Sequence, residues 1–112
     1  MSAIEVAVRV IVDLLVRGQF MTVEKVTRGR RLTEREIESA VSAYGRTLVA
    51  PGKNWWSTVE VTPINAGERA AFHVVAPFWT REEGRSDLSL ELRLTESPAH
   101  VYEVELIDIR VL

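Results

Sequence analysis

The spacing of apolar residues changes once along the chain, close to Gly45. Before Gly45 they recur at the intervals typical of helices, and after it at every second position, as in strands. The first helical segment spans residues 2–18 and places charged residues at four-residue spacing from Glu5 to Arg17. A helix with this pattern has one narrow charged stripe and a wide apolar surface, which predicts that it packs against a sheet.

Two further helices are predicted before Gly45. A short one follows Thr22 and ends near Gly29. The next begins at Thr33, because Thr33 and Glu36 have the spacing of a capping box. Gly45 ends this helix, since glycine readily adopts the left-handed conformation that terminates helices.

Four long strands follow the third helix, and a short strand is expected early in the connection that precedes them. The long strands are predicted at residues 57–64, 69–79, 88–95 and 101–112. Short and medium connections join them, so neighbouring strands should be antiparallel. The predicted fold is a single α+β domain over residues 1–112, with N-terminal helices on one face of a curved antiparallel sheet of about four strands. This order of elements resembles the cystatin-like or NTF2-like two-layer architecture.

The last predicted strand is irregular. Its apolar residues lie on one face up to Leu106 and on the opposite parity from Ile107 onward. Either a bulge near these two residues resets the alternation, or the strand end is buried on both faces. In the second case Asp108 and Arg110 point into a polar pocket beneath the helices. The bulge is favoured, because a buried ion pair is costly unless it is fully satisfied.

Composition and charge exclude several kinds of function. The chain has 112 residues, no cysteine and a formal net charge of −2. This charge argues against nucleic acid as a partner, because nucleic-acid-binding proteins use a basic surface to neutralise phosphates. The lack of cysteine excludes disulfides, thiolate catalysis and cysteine-bound zinc.

No metal, cofactor or membrane is expected as a partner. His73 and His100 lack the spacing of a histidine pair that binds metal, and the sequence contains no glycine-rich phosphate loop or nucleophile motif. The first apolar segment carries too many charges for a membrane-spanning helix or a signal peptide. A cytoplasmic location is expected as part of the binding-module hypothesis given below.

The charged stretch TREEGRSD, residues 80–87, is the main candidate site. It is too long and too charged for a minimal hairpin turn. Glu82, Glu83, Arg85 and Asp87 form the one group suited to acid–base chemistry, because neighbouring charges shift one another's pKa. Charged residues in a hairpin connection are more often simply solvated.

In a first, structural interpretation, this stretch stabilises the hairpin. Gly84 turns the chain, and Ser86 or Asp87 accepts hydrogen bonds from backbone amides. Arg85 pairs with one of the nearby glutamates or with Asp108. The stability of the hairpin is then expected to depend on Asp87 rather than on the glutamate pair.

In a second interpretation, the stretch is a recognition loop. Glu82 and Glu83 face a protein or a small polar ligand, with Trp79 at the base of the loop. Trp55 and Trp56 also favour a binding surface. Consecutive strand residues point to opposite faces, so one of these two rings is expected in the core and the other near the surface. The alternative is that each tryptophan simply covers an end of the sheet.

Three stretches of the chain resemble a family of small bacterial domains of unknown function. They are FWTREEGRSDLSLELRL, YEVELIDIRVL and YGRTLVAP. The most specific part runs from Trp79 to Leu88, and the resemblance extends from Val12 onward. It implies no established activity. Members of that family often have histidine before the final Val-Leu, where this chain has Arg110, so the resemblance gives no support to a histidine site there.

The sequence supports two classes of function. The first is a non-enzymatic binding or interaction module, such as an accessory or immunity-type protein, with a homodimer through the sheet as one arrangement. The alternative is a small NTF2-like pocket enzyme or ligand carrier that uses Tyr44 and Asp108 around a cavity between helix and sheet. No residue is assigned a catalytic role. The candidate binding residues are Tyr44, Trp79, Glu82, Glu83, Arg85, Asp87, Asp108 and Arg110.

Overall fold

The computed structural model describes residues 1–99 and 101–112, and it has three helices followed by a five-stranded antiparallel sheet. The helices are α1 (Ala3–Val16), α2 (Phe20–Thr27) and α3 (Glu34–Tyr44). The strands are β1 (Leu48–Val49), β2 (Glu60–Ala66), β3 (Arg69–Thr80), β4 (Gly84–Glu96) and β5 (Tyr102–Val111), with a 3-10 turn at Trp55–Thr58 between β1 and β2. The sheet is open and curved, and the predicted α+β fold is confirmed.

The third helix begins where the sequence predicted. Thr33 Oγ1 accepts a hydrogen bond from the Glu36 amide at 3.3 Å, and Glu36 Oε1 accepts one from the Thr33 amide at 3.1 Å. This reciprocal pair is a complete capping box. Gly45 ends the helix with a φ of +73°, in the left-handed region where glycine meets no steric penalty.

The strand order places β5 at one edge of the sheet. β3 is central: β4 lies on one side, while β2 and the short β1 pair with different parts of its other side. Within the described residues, β5 pairs only with β4. The other edge of β5 therefore has no strand beside it.

The core lies between the helices and the inner face of the sheet. Val74, Ala76 and Phe78 of β3 and the four alternating leucines of β4 point inward, and each is at most 2% exposed. They pack with residues of α1 and α3, including Leu15 and Ile37. Burying a leucine side chain contributes about 1.5–3 kcal/mol, so this face supplies much of the free energy of folding.

The predicted bulge in the last strand is confirmed. Glu91 lies opposite Asp108, and Leu92 lies opposite Leu106, so Ile107 is an extra residue in β5. The bulge brings both Leu106 and Ile109 into the core, where they are 1% and 5% exposed.

Asp108 and Arg110 consequently do not line a pocket beneath the helices. The register puts Asp108 beside Glu91 on the outer face of the sheet, and the Arg110 Nε atom lies 3.2 Å from Glu91 Oε1. Asp108 Oδ1 accepts a hydrogen bond from the amide of its neighbour Ile109 at 2.8 Å. The alternative with an inward ion pair does not fit this arrangement, because the bulge turns both charges outward.

The tryptophan pair divides as expected but for a different reason. Trp55 is 1% exposed and Trp56 is half-buried, yet both lie in the 3-10 turn rather than in a strand. Trp55 Nε1 donates a hydrogen bond to the Pro77 carbonyl at 2.7 Å. The turn and this bond, rather than strand alternation, direct Trp55 into the core.

Among the helices that the structure describes, none has the length and apolar character needed to cross a membrane.

Candidate functional site

The charged stretch forms a tight hairpin rather than a long loop. Thr80 lies opposite Gly84, so the connection from β3 to β4 has only the three residues 81–83. Gly84 has a φ of +75°, the conformation that closes three-residue hairpins. Arg85, Ser86 and Asp87 already belong to β4. The expectation of a connection too long for a minimal turn is wrong, because β4 begins four residues before its apolar alternation.

Glu82 joins the hairpin to the segment between α3 and β1. Its Oε1 atom accepts a hydrogen bond from the Thr47 amide at 2.8 Å, and its Oε2 atom accepts one from Thr47 Oγ1 at 2.9 Å. The Arg81 amide also donates to the Thr47 carbonyl at 2.9 Å. Glu82 thus links the β3–β4 hairpin to the segment that precedes β1.

Glu83 lies at the centre of a second network, between α3 and the two strands. Its carboxylate accepts hydrogen bonds from the Tyr44 hydroxyl at 2.8 Å, from Thr80 Oγ1 at 2.9 Å and from Ser86 Oγ at 3.0 Å. The Tyr44 and Ser86 oxygens are also 2.8 Å apart, and Ser86 Oγ accepts from the Leu88 amide at 3.0 Å. Thr80 and Ser86 are 1% and 4% exposed, so their hydroxyls need these partners.

The protonation equilibria of this network do not suit acid–base catalysis. The hydrogen bond from the Thr47 amide lowers the pKa of Glu82, and the hydrogen bond from Tyr44 lowers the pKa of Glu83. For Tyr44 itself, the hydrogen bond with Ser86 lowers the pKa, but the Glu83 carboxylate and burial together raise it above its ordinary value. Each pKa moves away from neutrality, whereas a general acid or base works best with a pKa near the operating pH.

Asp87 and Arg85 are not part of the network. Both are exposed, and within the described residues neither side chain has a hydrogen bond or an ion pair. Ser86 points inward, so its neighbour Asp87 points to the opposite face. The observed hydrogen bonds are therefore the opposite of those expected: Glu82 and Glu83 accept hydrogen bonds in and around the hairpin, and the Asp87 carboxylate does not.

Trp79 is covered by its own chain. It lies opposite Val49 of β1, and the backbone at Gly52 packs against its ring. A Cβ atom at Gly52 would lie only 2.7 Å from Trp79 Cη2. Trp79 is half-buried, and in the described part of the chain its Nε1 atom has neither solvent access nor a partner. The Trp79 ring therefore packs against the connection that follows β1 and is not an exposed anchor for a partner.

The sequence did not predict one depression on the surface of the protein. It is an open groove of about 540 Å³ between the α2–α3 connection and the sheet, along the start of β5. We call it the arginine groove, because Arg28 and Arg30 of the connection, Arg69 of β3 and Arg93 of β4 all line it. These arginines come from three separate segments, and the only local signal is the short run RGRR at residues 28–31.

The arginine groove carries unpaired positive charge. Four arginines against Glu103 and Glu105 give it a formal charge of +2, in a chain whose formal net charge is −2. Glu105 is paired with Arg31, 3.5 Å away. Across residues 1–99 and 101–112, no carboxylate forms an ion pair with the four groove arginines. Such a surface attracts anions and can bind them through charge-assisted hydrogen bonds.

The backbone at the edge of the groove is unusual. Arg28 has a φ of +60°, and it is the one non-glycine residue with a positive φ in the described chain. An arginine in this conformation costs energy, and such outliers concentrate at binding sites. Gly29 follows with a φ of +59°, so two successive left-handed residues shape the connection.

The histidines and carboxylates do not assemble a metal centre in the described residues, where no group of three or more metal-ligating side chains is found. His73 Nε2 lies 2.6 Å from Glu91 Oε2 on the outer face of the sheet. His100, the other histidine weighed as a ligand, lies outside the described residues.

The chain belongs to a family described as a domain of unknown function, DUF7668, whose model matches residues 12–112. This confirms the resemblance to an uncharacterised domain family from Val12 onward. Comparison with curated proteins and with solved structures gave no match. The likeness to the cystatin-like and NTF2-like architectures stays a prediction.

The reversed roles in the hairpin lead to a stability prediction. Ser86→Ala should lower the free energy of unfolding by about 1–3 kcal/mol, because it leaves buried partners without a hydrogen bond. Asp87→Ala, one residue away and exposed, should change it by less than about 0.5 kcal/mol. Urea unfolding of both variants tests this, and a larger loss for Asp87→Ala would contradict the network.

A second prediction concerns acid stability. The folded-state pKa values of Glu82 and Glu83 are lowered from 4.5, so their stabilisation is present above that pH and is lost as the pH falls through the folded values. Unfolding free energies measured at about pH 6 and about pH 3 should therefore differ less in Glu82→Gln/Glu83→Gln than in the wild type. The exposed Glu38→Gln serves as the control and should behave like the wild type. Equal acid sensitivity in all three proteins would rule out the glutamate contribution.

Proposed function

We propose that this chain is a non-enzymatic binding module that recognises an anionic ligand through the arginine groove. The observation that carries the proposal is the convergence of four arginines from three segments without a carboxylate partner among the described residues. Unpaired guanidinium groups have a high affinity for carboxylates and phosphates, because each presents several donors in a fixed planar arrangement.

The packing of the interior supports a binding module over the NTF2-like alternative. Among the residues that the structure describes, sixteen buried hydrophobic side chains occupy the space between the helices and the sheet. The two polar residues that the alternative needs are not convergent. Tyr44 belongs to the hairpin network, and Asp108 lies on the outer face beside Glu91.

The size and openness of the groove fit recognition at a surface. Its volume of about 540 Å³ lies within the range of about 300–1,000 Å³ common for ligand sites. The cytoplasmic location, the accessory or immunity-type role and the homodimer remain predictions from the sequence alone.

Titration with tripolyphosphate tests the proposal. The wild type should bind this small polyanion, and Arg30→Gln/Arg69→Gln should bind it at least about tenfold more weakly, since the loss of one charged hydrogen bond is worth about 1.5–3 kcal/mol. Both arginines are exposed, so the substitutions should leave the fold intact. Arg81→Gln/Arg85→Gln, which removes two exposed arginines of the hairpin, is the charge-matched control and should bind as the wild type does.

Isothermal titration calorimetry at low salt gives the affinities. An equal loss of affinity in Arg81→Gln/Arg85→Gln and in the groove variant would show that only net charge matters. That result, or an absence of binding to the wild type, would overturn the proposed function.

A further inference from the structure

The free edge of β5 forms one side of the arginine groove. Five consecutive residues, 101–105, line the groove. Side chains alternate between the two faces of a strand, so consecutive residues share a groove only where it runs along the strand's edge. In the described chain this edge has no neighbouring strand, because β5 pairs only with β4. The groove therefore runs beside a strand edge that no described strand pairs with, as well as beside arginine side chains.

We infer that the arginine groove receives an extended acidic peptide segment, which joins the edge of β5 as a sixth strand. The inference rests on the proposed function and names its ligand. An open strand edge offers N–H and C=O groups that a peptide can pair with, and neighbouring side chains then select its sequence. The straight part of this edge runs from Tyr102 to Leu106, since the bulge at Ile107 interrupts it.

The charges beside the edge select an acidic partner with alternating residues. Arg28 and Arg30 lie on the connection between α2 and α3, on the helix side of the sheet. Glu103 and Glu105 point to the outer face, opposite Thr95 and Arg93 of β4.

The acidic side chains of a bound strand would therefore stand at every second position and face Arg28 and Arg30 on the α2–α3 connection. The side chains between them would lie on the outer face, where Arg93 and Arg69 accompany Glu103 and Glu105, so neutral residues fit there. Arg31 reaches Glu105 across the edge at 3.5 Å, but both side chains are partly exposed, and such surface ion pairs yield readily to a competing ligand.

A second copy of the chain is a poorer occupant of this edge. Antiparallel pairing of two copies centred on Val104 would place Glu103 of each copy opposite Glu105 of the other. Like charges directly opposite in a sheet are destabilising. A separate acidic peptide avoids this repulsion if its acidic side chains face the arginines of the groove.

The test compares peptides that differ only in their capacity to pair as strands. The probe is a blocked peptide of about ten residues that alternates threonine and glutamate, close to the ten-residue length of β5. Two further peptides have the same sequence but carry N-methyl groups on alternate amides, at the odd positions in one and at the even positions in the other. Methylation keeps the charge but removes the N–H donors from one edge of the peptide strand. Fluorescence polarisation should show at least about tenfold weaker binding for one of the methylated peptides. The groove variant Arg30→Gln/Arg69→Gln should also bind the unmethylated peptide more weakly than the control Arg81→Gln/Arg85→Gln does.

Four other outcomes would contradict strand addition by an acidic peptide, and a fifth would contradict the proposed function as well. Equal binding of all three peptides would overturn strand addition while leaving the proposed anion recognition intact. Binding of tripolyphosphate but not of the peptide would do the same. Tighter binding of single-stranded polyuridylate of similar charge would assign the groove to nucleic acid, and a dimer in sedimentation that masks the groove would assign it to a second copy. If no anion binds in the groove, the proposed function itself fails.

Discussion

The packing of the helices against the alternating leucines of β4 is the interaction on which the rest of the structure depends. Leu88, Leu90, Leu92 and Leu94 are all at most 2% exposed and form one core with residues of α1 and α3. A shift of one residue in the pairing of β4 would turn all four to solvent, so burial fixes the register. That register decides which polar residues face inward at the ends of the sheet and which remain outside.

At the hairpin end, the register brings polar groups into the interior. Ser86 precedes the leucines on the same inward face, and Thr80 lies at the end of β3. Their buried hydroxyls require partners, and Glu83 and Tyr44 supply them. Most polar groups of the most charged stretch of the sequence are therefore engaged in hydrogen bonds within the protein. At the opposite end of the sheet, the groove arginines have no such partners among the described residues, which leaves them available for a ligand.

The features that could be predicted from the sequence have local causes. The start of α3 follows from residues three positions apart, and the bulge in β5 from a change of parity within one strand. The roles of the hairpin residues could not be predicted in this way. Glu82 and Thr47 are 35 residues apart, and Glu83 and Tyr44 are 39 apart, so only the folded chain brings each pair together. The groove arginines are dispersed for the same reason, and each one alone resembles an ordinary solvated charge.

In the proposed division of roles, the hairpin glutamates serve the fold and the arginine groove serves recognition. A nuclear magnetic resonance titration of the isotopically labelled protein with the alternating threonine–glutamate peptide tests it most directly. Chemical-shift changes are expected at the Nε–H groups of Arg28, Arg30, Arg69 and Arg93 and at the amides of residues 101–105, with little change at Tyr44, Thr47 and residues 82–86. Changes concentrated at Tyr44 and the hairpin, with the groove unaffected, would contradict it.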